Sequence, residues 1–507
     1  MKNTILEQRH SLLIIPMKKI TITVFAFFCL ISTVRAQKFS LSFPDSLLKQ
    51  PFTGNVLLYL SKDSKEPKSG TAGLDIFPCY RLYVKNVKPG SSIMIDDKAI
   101  SFPAPLSDIE RADYYVQAVW DRDLGGRSIG ESPGNFYSEA KKIHFTKDFN
   151  KIYSIKSTKV VREPEFKETQ YAKELKVPSA LLSKFNNRAM SVNAAVLLPK
   201  EYYTEPGRKF PVKFNVSGYG GDYHRYSGYL NPTAPMDTTA FIGVYLDGNC
   251  SLGHSVYANS ENNGPWGDAL TTEFIPQLEK AYRCNGAKLL NGHSSGGWTV
   301  LWLQTHYPKV FDGCWSSSPD PVDFRSFQRV NLYEHQNMFY GKDSTLNQTG
   351  TIAGFFPWFN MRNIYQMEHV IYRGEQMHSF DAVFSKKGTD GMPRSICNYQ
   401  TGEIDTAVFE HWKNYDISLY LRTNWDKIKA DLDGKVRVTV GNQDNFLLNY
   451  AVKLLEGEMK KLNSSFVFTY YPGDHFTVAT PEFTQAGNLF LETKYQEWLA
   501  KNKPGTK

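Results

Sequence analysis

Apolar residues recur along this chain in two different textures. From residue 37 to about 160 they come in short runs, such as Val56-Leu57-Leu58-Tyr59-Leu60, Arg81-Leu82-Tyr83-Val84 and the stretch from Tyr114 to Trp120. Turn formers break them, as at Pro89-Gly90-Ser91 and Ser132-Pro133-Gly134. Strand-length runs bounded by Pro, Gly and Asp predict a small all-β sandwich of about seven strands over 37–160. Residues 161–190 are charged, with a helical pattern from Glu165 to Lys176, and are expected to form a linker.

From 191 the texture changes. Ser191 to Pro199, Phe210 to Val216, Phe241 to Leu246, Ala287 to Leu290, Phe311 to Ser316, Val436 to Val440 and Phe466 to Tyr471 read as strands. Between them Trp266, Leu270, Phe274, Ile275, Leu278 and Tyr282 recur at helical spacing, with Pro276 expected to kink or divide the helix. A second helix is expected from about Ser295 to His306. Alternation of strand and helix predicts an α/β unit over 191–503, built on a doubly wound, mostly parallel sheet. Between 318 and 431 the alternation breaks down in a stretch rich in Phe, Tyr, Met and Trp. It reads as a lid-like insertion over the carboxyl edge of the sheet, where such folds bind ligands.

The chemistry concentrates at that edge. Gly292-His293-Ser294-Ser295-Gly296 fits G-x-S-x-G and stands between an apolar strand and a helix. Such a turn is too sharp for bulky neighbours, hence the flanking glycines, and it lifts the serine hydroxyl out of the sheet. Ser294 is the candidate nucleophile. The amide of Ser295, at the helix start, is the first candidate oxyanion donor. A serine hydroxyl needs a base, and His475, the last histidine of the chain, follows the final strand in Gly473-Asp474-His475. Asp444, after the strand ending at Val440, is the candidate acid that orients it; Asp320 is the rival, and Asp474 is too close in sequence to serve. The second oxyanion donor is expected in Ser217-Gly218-Tyr219-Gly220-Gly221, from the amide of Tyr219 or, one residue on, Gly220. Gly253-His254-Ser255 lacks the closing glycine and is set aside.

The remaining features narrow the setting. Met17-Lys18-Lys19, an apolar run from Ile20 to Ser32 and Val34-Arg35-Ala36 read as a signal-peptide region over 1–36. Export to the periplasm or the exterior is expected. No later apolar run is long enough to predict stable membrane insertion. The formal charge of +8 falls about half on the leader, which carries Lys2, Arg9, Lys18, Lys19 and Arg35 against Glu7. No dense basic cluster remains to suggest a nucleic-acid partner. Five cysteines follow the leader with no Cys-x-x-Cys, so no structural zinc is expected; Cys250 and Cys284 are the pair to test for a disulfide. No cofactor is implied.

With these residues in view, the chain resembles the putative-esterase group of α/β-hydrolases, which includes esterase D, feruloyl and acetylxylan esterases and enterochelin esterases. The resemblance spans about 190–500. It rests on Val196-Leu197-Leu198-Pro199 with Tyr202, Phe210-Pro211-Val212, Gly218-Tyr219-Gly220-Gly221, Glu273-Phe274-Ile275-Pro276 with Tyr282, the serine elbow, Asp444 and His475. It implies a serine esterase working through an acyl-enzyme, on a small-molecule or polysaccharide-linked ester. Ser217 stands where many members carry histidine, and the segment between elbow and acid is longer than in compact members. With export and the β-domain, acetyl or feruloyl esters on polysaccharides are the expected substrates. A prolyl-oligopeptidase-type peptidase, a siderophore esterase and a non-catalytic glycan-binding protein are the alternatives.

Overall fold

A computed structural model describes residues 37–70, 76–146, 151–334 and 337–502. The expected leader lies outside them. Among the described residues, nine strands between Lys38 and Val160 join in one continuous sheet. It turns back on itself at Ile152–Val160, whose first half runs parallel to Lys38–Ser42 and whose second half pairs antiparallel with Phe136–Ser138. The fold encloses Phe39, Leu41, Val56, Leu58, Leu60, Val116, Ala118, Trp120 and Phe136. This is the all-β layer that the short apolar runs predict.

The strand Phe52–Ser61 is nonetheless buried on both faces. Successive side chains of a strand point to opposite sides. Val56, Leu58 and Leu60 therefore fill the sandwich. Leu57 and Tyr59 look outward, with Cys79, Phe102 and Val119, onto Met367, Val370 and Ile371. Those three residues lie more than 200 positions downstream, in the expected lid-like insertion. The N-terminal sheet is thus packed into the rest of the molecule, not appended to it.

The second sheet has eight strands: β1 (Ala172–Pro178), β2 (Ser191–Leu197), β3 (Phe210–Val216), β4 (Ile242–Leu246), β5 (Cys284–His293), β6 (Gly313–Ser317), β7 (Val436–Gly441) and β8 (Val467–Tyr471), in the order 1-2-4-3-5-6-7-8. β1 and β2 are antiparallel additions, and β3 to β8 run parallel. This is the α/β-hydrolase arrangement. Helix α1 (Ser295–His306) is almost wholly buried beside β5 and β6, while α5 (Pro481–Lys501) covers the opposite face through Leu491 and Tyr495.

Three expectations are corrected. The stretch from Glu165 to Lys176 is not helical: β1 occupies Ala172–Pro178 and pairs in full register with β2, and only Ala180–Asn186 is helix. Glu and Lys favour a helix only weakly, and an unpaired edge of the sheet offers more than local propensity does. Charged side chains such as Lys173 and Glu174 also suit an edge strand. Second, Cys250 and Cys284 are free. Cys284 opens β5 at the amino edge of the sheet, whereas Cys250 follows the carboxyl end of β4, so parallel topology holds them at opposite edges. Third, the segment 318–431 is less uniform than expected. It holds a hairpin (Gln348–Ile352 and Phe356–Asn360), α2 (Met361–Ile371) and α3 (Gln376–Phe384), but α4 (Ile417–Leu432) packs on α1 as a regular member of the helix layer. At Pro276 the expected break is present: a π-helical turn over Leu270–Phe274 precedes the helix Ile275–Ala281.

One ion pair fastens the N-terminal sheet to the insertion. Arg373, just past α2, donates from Nε and Nη2 to the two carboxylate oxygens of Asp121, both at 2.7 Å. Its Nη1 donates to the carbonyls of Gly126 and Ser251. The Arg373 side chain is 1% exposed and that of Asp121 0%. Burial pushes the Asp121 carboxyl up, but the hydrogen bonds and charge of Arg373 outweigh it and hold the group below the usual carboxylate range. Removing one partner leaves the other charged and dry. Asp121→Ala is therefore expected to destabilise the fold by about 3–5 kcal/mol, read as a lower urea midpoint. In the native protein the contribution of Asp121 is present above the ordinary carboxylate pKa. It is lost as pH falls through the lowered folded value, so the gap between native and variant should close in acid.

Candidate active site

The carboxyl ends of β3, β5, β6, β7 and β8 carry the candidate catalytic and oxyanion residues that the sequence singled out. Ser294 sits at φ 60°, ψ −126°, between the end of β5 and the start of α1. That conformation is strained for any residue with a side chain. Hydrogen bonds on both sides hold it: the Ser294 amide donates to the Ser317 carbonyl (3.0 Å), and its carbonyl accepts from Trp298 (3.0 Å) and Asp320 (3.2 Å). The flanking glycines are required by contact. A Cβ on Gly292 would stand 2.1 Å from the Gly296 carbonyl oxygen, and one on Gly296 2.0 Å from that of Val216. Ser295 opens α1, so its amide is among those a helix leaves unbonded.

His475 and Asp444 lie at the ends of the neighbouring strands. Nδ1 of His475 donates to Asp444 Oδ2 at 2.7 Å, and both residues are buried. The other oxygen of Asp444 accepts from the Phe446 amide at 2.9 Å. The His475 amide donates to Asn445 Oδ1, whose amide nitrogen donates to Thr351 of the hairpin. Phe446 meets the imidazole edge to face at 4.7 Å. Among the described residues no hydrogen bond joins Ser294 Oγ to the imidazole; such contacts often tighten only around a substrate. Ser294 and His475 line the same cavity, of about 260 Å³.

Asp320 lines that cavity too, but its carboxylate accepts from Ser295 Oγ at 2.6 Å. Burial, above all, pushes it up to about 6. Asp474 accepts from Phe476, Thr477 and the Thr477 hydroxyl within its own loop. His293 is pushed down to about 4 by burial and by His475 beside it. Gly218 approaches Ser294 so closely that a Cβ there would lie 3.0 Å from the serine Cβ. The Gly221 amide closes a turn onto the Gly218 carbonyl at 3.0 Å with Gly220 at φ 85°, a type II turn with Tyr219 and Gly220 at its centre.

Two residues at this site escaped sequence reasoning. Arg127, from the N-terminal sheet's loop, lies over the Tyr219 ring at 4.8 Å. Glu375, between α2 and α3, accepts from the Tyr219 hydroxyl and from Ser128, each at 3.3 Å. The one local signal was Gly125-Gly126 before Arg127, a glycine pair that marks a loop but not its target. Away from the triad the cavity wall is mainly apolar, formed by Phe359, Ile364, Met377, Phe380, Phe446 and Phe476, with Gln328, Thr349 and Gln376 among them. Most of it comes from the hairpin, α2 and α3.

A strained serine, an imidazole held by a carboxylate and a free amide at a helix start form a layout for nucleophilic acyl transfer. Residues 186–475 match the family model described as "Putative esterase", and the chain belongs to that family. It is a carboxylic ester hydrolase of the α/β-hydrolase fold. Solved structures similar to it include a ferulic acid esterase (15% identity, 64% of this chain and 98% of that chain, TM-score 0.37). Others are a fluorophosphonate-binding serine hydrolase of Staphylococcus aureus (15%, 63% and 98%, 0.36) and an S-formylglutathione hydrolase from Agrobacterium tumefaciens (13%, 65% and 97%, 0.36). No curated protein sequence matches the chain.

The crowding around the elbow gives a direct expectation. Gly296→Ala drives a methyl group into the Val216 carbonyl, so the elbow must open. The variant should lose at least about 2 kcal/mol of stability and react far more slowly with a fluorophosphonate, measured by thermal melting and by labelling rate.

Proposed function

We propose that the protein is an exported serine esterase in which Ser294 attacks the ester carbonyl, His475 acts as base and Asp444 holds the imidazole. The observation that carries this reading is the 2.7 Å bond between buried Asp444 and Nδ1 of His475, which lines the same cavity as Ser294. In the first step Ser294 Oγ bonds to the carbonyl carbon as His475 Nε2 takes its proton. The amides of Ser295 and Tyr219 face the oxyanion. Collapse expels the alcohol, which takes the proton from His475, and leaves an acyl-serine. Water then attacks the acyl carbon, giving its proton to His475, and the acid departs with Ser294 restored. Asp320 is assigned a different task, fixing the Ser295 side chain at the helix start.

On the acyl side, the cavity favours an aromatic group such as feruloyl over acetyl. Its six apolar side chains and about 260 Å³ suit a substituted phenyl ring. Gln328 lines the same cavity, and its Oε1 is buried without a hydrogen-bond partner. An unpaired buried acceptor is costly, and a phenolic hydroxyl satisfies it.

Two measurements test this. Purified protein should hydrolyse p-nitrophenyl acetate and methyl ferulate, and Ser294→Ala should lose several orders of magnitude on both. Asp444→Asn should fall by about 10⁴-fold, as when a triad acid no longer holds the imidazole, while Asp320→Asn falls much less. Equal activity of native and Ser294→Ala protein would remove the nucleophile assignment. For the acyl group, Gln328→Leu should raise KM for methyl ferulate and leave p-nitrophenyl acetate unchanged; equal effects on both esters would count against a phenolic partner.

A further inference from the structure

We infer that Arg127, in the N-terminal sheet's loop, is a positioning residue for the oxyanion loop, acting through the side chain of Tyr219. This rests on the reading of Ser294 as nucleophile and the 218–221 loop as oxyanion donor. Tyr219 stands at the second position of the type II turn closed by Gly221 onto Gly218. Types I and II differ by a flip of the central peptide. In that flip the Tyr219 carbonyl and the Gly220 N–H, the other candidate donor of this loop, exchange sides, and the setting of the adjoining Tyr219 N–H is lost with them. A donor loop made of glycines has little of its own to prevent it. What the loop does have is the Tyr219 side chain, and that side chain is held at both ends.

Its ring lies under the Arg127 guanidinium, 4.8 Å from the ring centroid. A cation placed over an aromatic face away from water is among the stronger contacts of this type. Its hydroxyl donates to Glu375. Arg127 and Glu375 are themselves joined through the backbone, because the Glu375 amide donates to the Arg127 carbonyl at 3.4 Å. Ser128 adds a second link to the Glu375 carboxylate. The approach is so close that a Cβ on Gly374 would stand 2.1 Å from the Arg127 carbonyl oxygen. Gly220, the flexible member of the turn, has Arg127 as its nearest neighbour, at 3.9 Å from a built Cβ. The clamp therefore spans three segments distant in sequence: the N-terminal loop, the oxyanion loop and the start of α3. Arg127 does not touch the cavity, so its influence on catalysis must run through Tyr219.

The test is a comparison of Arg127→Met, Arg127→Lys and Tyr219→Ala in the full chain, on p-nitrophenyl acetate. Misplacing an oxyanion donor raises the transition state more than the bound ester. Arg127→Met should therefore lower kcat by about ten- to a hundred-fold with KM within about twofold, and weaken a trifluoromethyl ketone inhibitor by the same factor as kcat/KM. Arg127→Lys, which keeps the cation, should recover most of kcat. In the Tyr219→Ala background the Arg127→Met change should have no further effect. A purely structural role predicts the opposite pattern: a lowered melting temperature, kcat unchanged per folded molecule, and an Arg127→Met effect that persists without the tyrosine ring. Either an unchanged kcat in Arg127→Met or additivity with Tyr219→Ala overturns the inference. Because Ser294→Ala is assayed beside them, loss of activity there with full kcat in Arg127→Met rejects the clamp alone, whereas an active Ser294→Ala rejects the nucleophile on which it rests.

Discussion

The dry pair of Asp121 and Arg373 is the contact on which the active-site wall depends. After α2 the chain takes three steps in the left-handed region within four residues, at Tyr372, Gly374 and Glu375, with φ of 67°, 71° and 64°. Non-glycine residues there cost on the order of 1–3 kcal/mol each and persist only where the surroundings leave no alternative. Asp121 supplies that constraint, taking both forks of Arg373 and the hydroxyl of Tyr372. The sharp turn it stabilises delivers Glu375 to Tyr219 and starts α3, which brings Gln376, Met377 and Phe380 to the cavity. A buried ion pair contributes little to net stability compared with an apolar replacement. Its use here is geometric, because an apolar contact could not fix the direction of a chain turning against its preferred dihedrals.

The two carboxylates near the serine show how environment separates residues of one type. Asp444 is bonded to an imidazole and to a backbone amide. Asp320 has a hydroxyl for its partner and is pushed up to about 6 by burial. A negative charge that steadies an imidazolium must be a strong acceptor close to Nδ1. Only Asp444 meets that condition in this geometry. The same loop ties the base to the hairpin through Asn445, which accepts from His475 and donates to Thr351. The imidazole is therefore placed by the acid on one side and by the insertion's own backbone on the other.

The sheet edge was legible from sequence because its signals are local. Gly292, Ser294 and Gly296 sit on a turn that admits few other residues, and strand–helix alternation fixes which end of the sheet they occupy. The helical reading of 165–176 failed for the complementary reason: a lattice of Glu and Lys says little, and pairing with β2 decided the outcome. The relation between the N-terminal sheet and the insertion was not legible at all. Leu57 and Tyr59 read as ordinary members of an apolar run, and nothing in the sequence says that their face meets Met367, Val370 and Ile371. Arg127 and Asp121 look like residues of a polar loop. Their partners, Arg373 and Tyr219, lie in distant segments of the chain, and the code that joins them is three-dimensional.

On the proposed reading, chemistry and selectivity are carried by different parts of this molecule, and they meet at one side chain. The sheet supplies Ser294, Asp444 and His475, while the hairpin, α2 and α3 supply most of the apolar wall. Tyr219 belongs to both: its amide is in the proposed oxyanion loop, the residue borders the cavity, and its hydroxyl is bonded to Glu375 at the head of α3. Residues that share a partner in this way are coupled energetically, and substitutions at them do not add. A change in the α3 wall that accommodates a new acyl group will therefore also move the oxyanion loop. Altered selectivity should come with altered kcat even for esters too small to touch the changed residue. The N-terminal sheet, by holding both Arg373 and Tyr219, sets how far that coupling reaches.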